Sequence, residues 1–101
     1  MRAVVPTEYA ERVLDAVERI PYGRVLAYGD VAEWMGEGSA RGVGAVMARW
    51  GGGVAWHRVV RSDGTPAPHI RTRQLALLRA EGVPIDGDRV QMSRARWDGS
   101  P

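Results

Sequence analysis

The sequence predicts a mainly α, winged helix-turn-helix-like domain with a small β hairpin. Three observations lead there. Apolar residues recur at three- and four-residue steps early in the chain. A short helix, the glycine turn Gly36-Glu37-Gly38 and a helix rich in small residues follow. Near the end, Asp86-Gly87-Asp88 separates two short extended runs. Small helical domains often contain such corners, so this pattern describes architecture before function.

Each element has a local cause. Tyr9, Ala10, Val13, Leu14, Ala16, Val17 and Ile20 form one helical face, predicting a helix over 7–19 with Thr7 as N-cap and Pro21-Tyr22-Gly23 as its stop. Arg24-Val25-Leu26-Ala27 is a short extended link. A second helix starts at Tyr28 or Gly29 and closes at Gly36. Ser39 can cap a third helix running through Arg41, Val43, Val46, Met47 and Trp50, which Gly51-Gly52-Gly53 breaks. Val54 to Val60 reads as extended, with Trp56 and His57 in its middle. Ser62 to Pro66 is a turn and Pro66-Ala67-Pro68-His69 an irregular loop. A fourth helix is expected over 72–80, and residues 83–92 form the hairpin around Asp86-Gly87-Asp88.

Composition narrows the function classes. With 101 residues, 45% of them hydrophobic and 26% charged, the chain is expected to fold as one small globular domain with one core. It has no apolar run of the ~20 residues needed to cross a bilayer, and Met1 to Pro6 is too short for a signal peptide, so a cytoplasmic, nucleoid-associated location and no membrane partner are expected. Cysteine is absent, which excludes disulfides, thiolate metal sites and a sulfur nucleophile. No metal set is apparent and no cofactor is expected. All 14 basic residues are Arg, which a GC-rich coding bias also produces. Whatever its origin, Arg is always charged, forks onto phosphate and stacks on planar rings. The signs segregate along the chain: residues 41–80 carry Arg41, Arg49, Arg58, Arg61, Arg71, Arg73 and Arg79 against the single acid Asp63. The middle of the chain is the basic face, suited to nucleic acid.

Four segments together are far more specific than any one. They are Ile20-Pro21-Tyr22-Gly23-Arg24-Val25 with Tyr28-Gly29-Asp30-Val31-Ala32, then Ala40-Arg41-Gly42-Val43-Gly44, then Trp56-His57-Arg58-Val59-Val60, and Leu77-Leu78-Arg79-Ala80-Glu81-Gly82. In this order and at these separations they closely resemble the C-terminal, DNA-binding and active-site domain of the O6-alkylguanine-DNA alkyltransferases. The resemblance covers roughly residues 7–85. In those enzymes the third segment reads Pro-Cys-His-Arg-Val, and its cysteine accepts the alkyl group. Here Ala55 and Trp56 stand at the proline and cysteine positions. An indole cannot form a thiolate or accept an alkyl group by displacement at neutral pH. The Trp-His-Arg-Val segment is similar to the alkyltransferase-like proteins, which lack the activity. That resemblance implies a protein that binds duplex DNA carrying O6-alkylguanine, flips the damaged base into a pocket and marks it for nucleotide excision repair proteins; a monomer on one lesion is the simplest expectation.

The resemblance also implies roles residue by residue. Arg41, just after the cap Ser39, is the finger that enters the stack vacated by the base; its plainer reading is a phosphate-binding or ion-paired Arg. Tyr28 presses on the phosphate 3′ of the flipped nucleotide, or is a core tyrosine at a helix start. Gly42 and Gly44, each costing ~1 kcal/mol in a helix relative to Ala, fit close backbone approach to DNA or tight helix crossing. On composition alone Trp56 reads as a core aromatic; by resemblance it walls the lesion pocket, with Val59 grouped beside it. His57 and Glu81 match the relay that activates the enzymes' cysteine, and read here as a buried hydrogen-bond network. Arg58 is read as holding the strand or a neighbouring carboxylate. His69, Arg71 or Arg73 is the candidate to stack on the lesion. Two segments depart from the enzymes: Arg49 to Gly53 replaces an Asn-Pro buttress in a shorter connection, and the 66–71 loop is shortened. The competing class is a winged-helix transcription regulator without lesion specificity. Its reading helix would need base-contacting side chains where Gly42, Gly44, Ala45 and Ala48 stand.

Overall fold

The computed structural model describes residues 6–101; Met1 to Val5, most of the stretch too short for a signal peptide, lie outside the described residues. Helix α1 (Glu8–Glu18) begins where the Thr7 hydroxyl accepts the Ala10 N–H at 3.1 Å. Its Ala10, Val13, Ala16 and Val17 face is buried, and Ile20 continues it. Strand β1 (Leu26–Ala27) leads directly into α2 (Tyr28–Met35), because the Asp30 carboxylate takes the Ala27 N–H at 2.8 Å and turns the chain. Gly36 ends α2 at φ 74°, a left-handed conformation that favours glycine. Ser39 then caps α3 (Ala40–Trp50) by accepting the Gly42 N–H at 3.2 Å. Helices α1, α2 and α3 pack on one another as the helix-turn-helix unit.

The segment after α3 departs from expectation. Residues 54–60 do not form one extended run: 3₁₀ turns occupy Gly51–Gly53 and Trp56–Arg58, and only β2 (Val59–Val60) is a strand. A straight strand would alternate its side chains between two faces. The tighter turn instead lets Trp56 point one way while His57 and Arg58 both reach Glu81. Gln74, buried on α4 (Arg71–Ala80), replaces ladder hydrogen bonds by donating through Nε2 to the carbonyls of His57 and Val59 at 3.0 and 2.8 Å.

Strands β1 and β2 pair in parallel, Leu26 with Val59 and Ala27 with Val60, and divide the core in two. Leu26 and Val59 join the three-helix cluster. Val25 and Val60 face a second cluster with Leu78, Val83, Val90 and Ala95. The loop before α4 ends in a 3₁₀ turn at Pro68–Ile70, so the helix starts at Arg71, one residue earlier than predicted. The hairpin is present but short, β3 (Ile85–Asp86) against β4 (Arg89–Val90). Met92 is not part of it. It opens α5 (Met92–Ala95), whose Ala95 carbonyl accepts the Val25 N–H, while Trp97 N–H donates to the Val25 carbonyl. The last residues are thereby laid beside β1.

Candidate nucleic-acid interface

Helix α3 presents its first turn to solvent. Arg41 is exposed there and makes no side-chain hydrogen bond or ion pair among the described residues. The two glycines beside it have different reasons. A Cβ on Gly42 would stand 2.9 Å from the Tyr9 hydroxyl, so this glycine serves packing against α1. A Cβ on Gly44 would meet Tyr28 Cδ1 at 4.0 Å, ordinary contact, so nothing in the packing forbids a side chain. Gly44 instead helps to line a cavity of about 440 Å³ with Tyr28, Met47, Trp56, His69 and Arg73.

The cavity is built by α2, α3, α4 and the three 3₁₀ turns. Tyr28 comes from the start of α2. Gly44, Met47 and Ala48 come from one face of α3, and Gly51 continues that face with its hydrogen toward Met47. Trp56, His69, Ile70 and Arg73 come from the 3₁₀ turns at Trp56–Arg58 and Pro68–Ile70 and from α4. The Arg73 guanidinium lies 5.5 Å from the Trp56 ring centroid, a cation–π placement at one wall. Burial raises the Tyr28 phenol above its ordinary pKa, against an opposing pull from Arg61, so it is a neutral hydroxyl that can donate.

Behind Trp56 lies a polar network. His57 packs edge-on against the indole, with centroids 6.0 Å apart, and its Nε2 donates to Glu81 Oε2 at 2.6 Å. Arg58 donates to the same carboxylate from Nε and Nη2 at 3.0 and 2.9 Å, and from Nη1 to the Ile20 carbonyl at 2.9 Å. The Gly23 N–H adds a bond to Glu81 Oε1 at 2.8 Å. Burial alone would raise the Glu81 pKa. Arg58, Gly23 and His57 overcome it and hold the carboxyl at about 2. Tyr22 covers the Arg58 guanidinium at 5.7 Å.

The residues singled out in the sequence therefore separate. Tyr28, Gly44, Trp56, His69 and Arg73 line the cavity. His57 and Glu81 stand one layer behind it, and Val59 is buried in the three-helix core. Arg71 is turned away and pairs with Asp88 beside the hairpin at 3.2 Å. Met47, Ala48 and Ile70 are cavity residues that the sequence does not single out. The i, i+3, i+4 spacing of Gly44, Met47 and Ala48 carries the signal, but for Met47 the same spacing also reads as packing. A second depression, about 510 Å³, lies between Trp34 and Trp97, but Asp30, Glu33, Asp98 and Arg96 rim it and it gathers none of the predicted site residues.

Residues 8–83 match the family model described as 6-O-methylguanine DNA methyltransferase, DNA binding domain. The chain belongs to this family. Among its relatives, a DNA base-flipping protein of Escherichia coli (strain K12) is 40% identical over 97 residues, covering 89% of this chain and 74% of the relative. Alkyltransferase-like protein 1 of Schizosaccharomyces pombe is 41% identical over 85 residues, covering 77% of this chain and 79% of the relative. The fold is similar to that of S. pombe Atl1 solved in complex with damaged DNA containing O6-carboxymethylguanine, with a TM-score of 0.79 and 33% identity, over 90% of this chain and 95% of the other. It is also similar to Mycobacterium tuberculosis OGT in complex with DNA, with a TM-score of 0.68 and 33% identity, over 77% of this chain and 51% of the other. The 6-O-methylguanine DNA methyltransferase DNA-binding fold is thus the frame that carries the cavity, and helices α2 and α3 with the β3–β4 hairpin correspond to the winged helix-turn-helix-like reading.

Proposed function

We propose that this chain is a non-catalytic sensor of O6-alkylguanine in duplex DNA, which flips the damaged base into the Trp56 cavity and directs it to nucleotide excision repair. One observation carries the reading: an indole stands on the cavity wall where the resemblance to the alkyltransferases puts their acceptor cysteine, in a chain that has no cysteine. The names of two relatives, a DNA base-flipping protein and an alkyltransferase-like protein, support it.

Extrusion of a base costs a few kcal/mol, and less where pairing is already weakened, as at guanine alkylated on O6. Arg41, exposed on the first turn of α3, replaces the stack that the base leaves. Tyr28 donates its neutral hydroxyl to a backbone phosphate at the cavity rim. Inside, the Trp56 face offers an apolar wall to the base or its alkyl group, with stacking of ~1–3 kcal/mol. No bond is made or broken, and His57 and Glu81 have no thiol to deprotonate. They hold the Trp56 turn in place.

The test is titration of a labelled duplex containing one O6-methylguanine, and its unmodified twin, followed by anisotropy and Trp fluorescence. The expected result is a preference of about tenfold or more for the lesion, with the methyl group still on the DNA by mass spectrometry. Equal affinity for the two duplexes would leave a general DNA-binding helix-turn-helix domain.

A further inference from the structure

Tyr28 and Gly44 are shared by two concavities. On one side lies the Trp56 cavity. On the other, a groove of about 440 Å³ runs past Arg41, Arg61, Ser62 and Arg96. Among the described residues its one acid is Asp30, and that carboxylate is engaged: Oδ2 accepts the Ala27 N–H at 2.8 Å and Arg96 Nε at 3.0 Å. The bond to Asp30 uses only Nε of Arg96. Among the described residues its two terminal nitrogens have no partner, and neither does any side-chain nitrogen of Arg61. The groove is therefore lined by Arg41, Arg61 and the ion-paired Arg96–Asp30, an excess of positive charge beside the Trp56 cavity.

Resting on the reading above, we infer that this groove holds the backbone phosphates adjoining the extruded nucleotide, with Arg61 and Arg96 as phosphate ligands beside Tyr28 and Arg41. A base seated against Trp56 must leave its sugar at the Tyr28 rim. The chain continuing from that sugar then crosses Tyr28 into the groove, where phosphates meet the arginines. Arg is suited to this, because its planar fork takes two phosphate oxygens at once. Arg96 comes from outside residues 8–83, the span that matches the family model. It is brought to the groove by the C-terminal segment that lies along Val25 and by the Asp30 bond that orients it. The C-terminal segment is in this way part of the DNA-binding surface, and Asp30 positions a phosphate ligand as well as capping α2.

The salt dependence of affinity tests this directly, because removing one phosphate-neutralising side chain lowers the slope of log K against log[salt] by about 0.9. Anisotropy titrations across about 50 to 200 mM salt would compare the parent protein with Arg61→Ala and Arg96→Ala, on both the O6-methylguanine duplex and its unmodified twin. Each variant is expected to neutralise one phosphate fewer, so that its affinity falls about 3.5-fold less across that salt range than the parent's. Arg96→Lys should recover the parent slope, since the charge remains. Arg19→Ala, an exposed arginine outside the groove, should leave it unchanged. Parent-like slopes for both Arg61→Ala and Arg96→Ala would overturn the inference. Among the described residues Arg61 has no side-chain partner to lose, so its variant is informative even if Arg96→Ala is destabilised. Failure of lesion recognition is separately visible. The parent would then bind both duplexes equally, while reduced slopes in the variants would still support the groove.

Discussion

His57 Nε2 donates to Glu81 Oε2 at 2.6 Å, and the same carboxylate is held by Arg58 at 2.9 Å, although the chain has no cysteine for such a pair to activate. The Glu81 side chain is 8% exposed, so the network is worth what it does for the fold.

Acid stability should reveal it. Against burial, which pushes the other way, Arg58, Gly23 and His57 hold the Glu81 carboxyl at about 2, below its ordinary value of 4.5. A depressed carboxyl contributes stability that is fully present above its unfolded pKa and is lost as pH falls through the folded one. That is about 3 kcal/mol, present at neutral pH and lost between about pH 5 and pH 2. Glu81→Gln should remove most of this acid-labile share. It also leaves the half-buried Arg58 without its carboxylate, costing about 3 kcal/mol at pH 7, or about 12–24 °C in Tm. Thermal melts of both proteins from neutral to acid pH check this. An acid limb as steep in Glu81→Gln as in the parent would assign it to other groups.

Trp56 should matter for the lesion and little for the fold. It is partly exposed on the cavity wall, with His57 edge-on behind and Arg73 beside it. Loss of ~1–3 kcal/mol of stacking predicts that Trp56→Ala weakens O6-methylguanine binding between about 5-fold and about 150-fold. Binding to unmodified duplex should barely change. If circular dichroism instead shows unfolding, Trp56 is a core residue.

Arg41→Ala separates the intercalating finger from a plain phosphate ligand. A finger acts only where a base has left, so its removal should lower lesion affinity about tenfold or more and reduce the ratio of lesion to unmodified binding. Removal of a plain phosphate ligand would weaken binding to both duplexes alike. Arg41→Lys should restore charge without restoring the ratio, because the ammonium has no plane to stack.

The helix-turn-helix core is legible in the sequence because its signals are local: Thr7 and Ser39 cap, Gly36 stops α2, and apolar spacing marks each buried face. Residues 54–60 look extended because Val54, Trp56, Val59 and Val60 suit a strand, while the cause of their curl is remote. Gln74 and Glu81, far along the chain, take the carbonyls and side chains of residues 57–59. The sequence does not choose among His69, Arg71 and Arg73 as the lesion contact for the same kind of reason. Arg71 is drawn off by Asp88, a partner in the hairpin, which leaves His69 and Arg73 at the cavity.

The two glycines of α3 make a paired test of packing against function. The Tyr9 hydroxyl is buried between Gly38 and Gly42 with no hydrogen-bond partner among the described residues. In Gly42→Ala the new methyl would crowd that hydroxyl, and overpacking of about 1–3 kcal/mol outweighs the gain of about 1 kcal/mol in helix propensity. The expected result is a Tm about 4–8 °C lower, from a net loss near 1 kcal/mol. Tyr9→Phe removes the hydroxyl, so the double variant should recover most of this, with a coupling of about 0.5 kcal/mol or more between the two sites. Gly44→Ala should behave in the opposite way. Its Cβ meets only Tyr28 at ordinary distance, so stability rises by up to about 1 kcal/mol. The same methyl narrows both the Trp56 cavity and the arginine groove, so lesion affinity should fall while the Tm rises. Melting curves and lesion titrations on the same preparations decide it, and a Gly44→Ala protein with parent-like lesion affinity would place the base elsewhere.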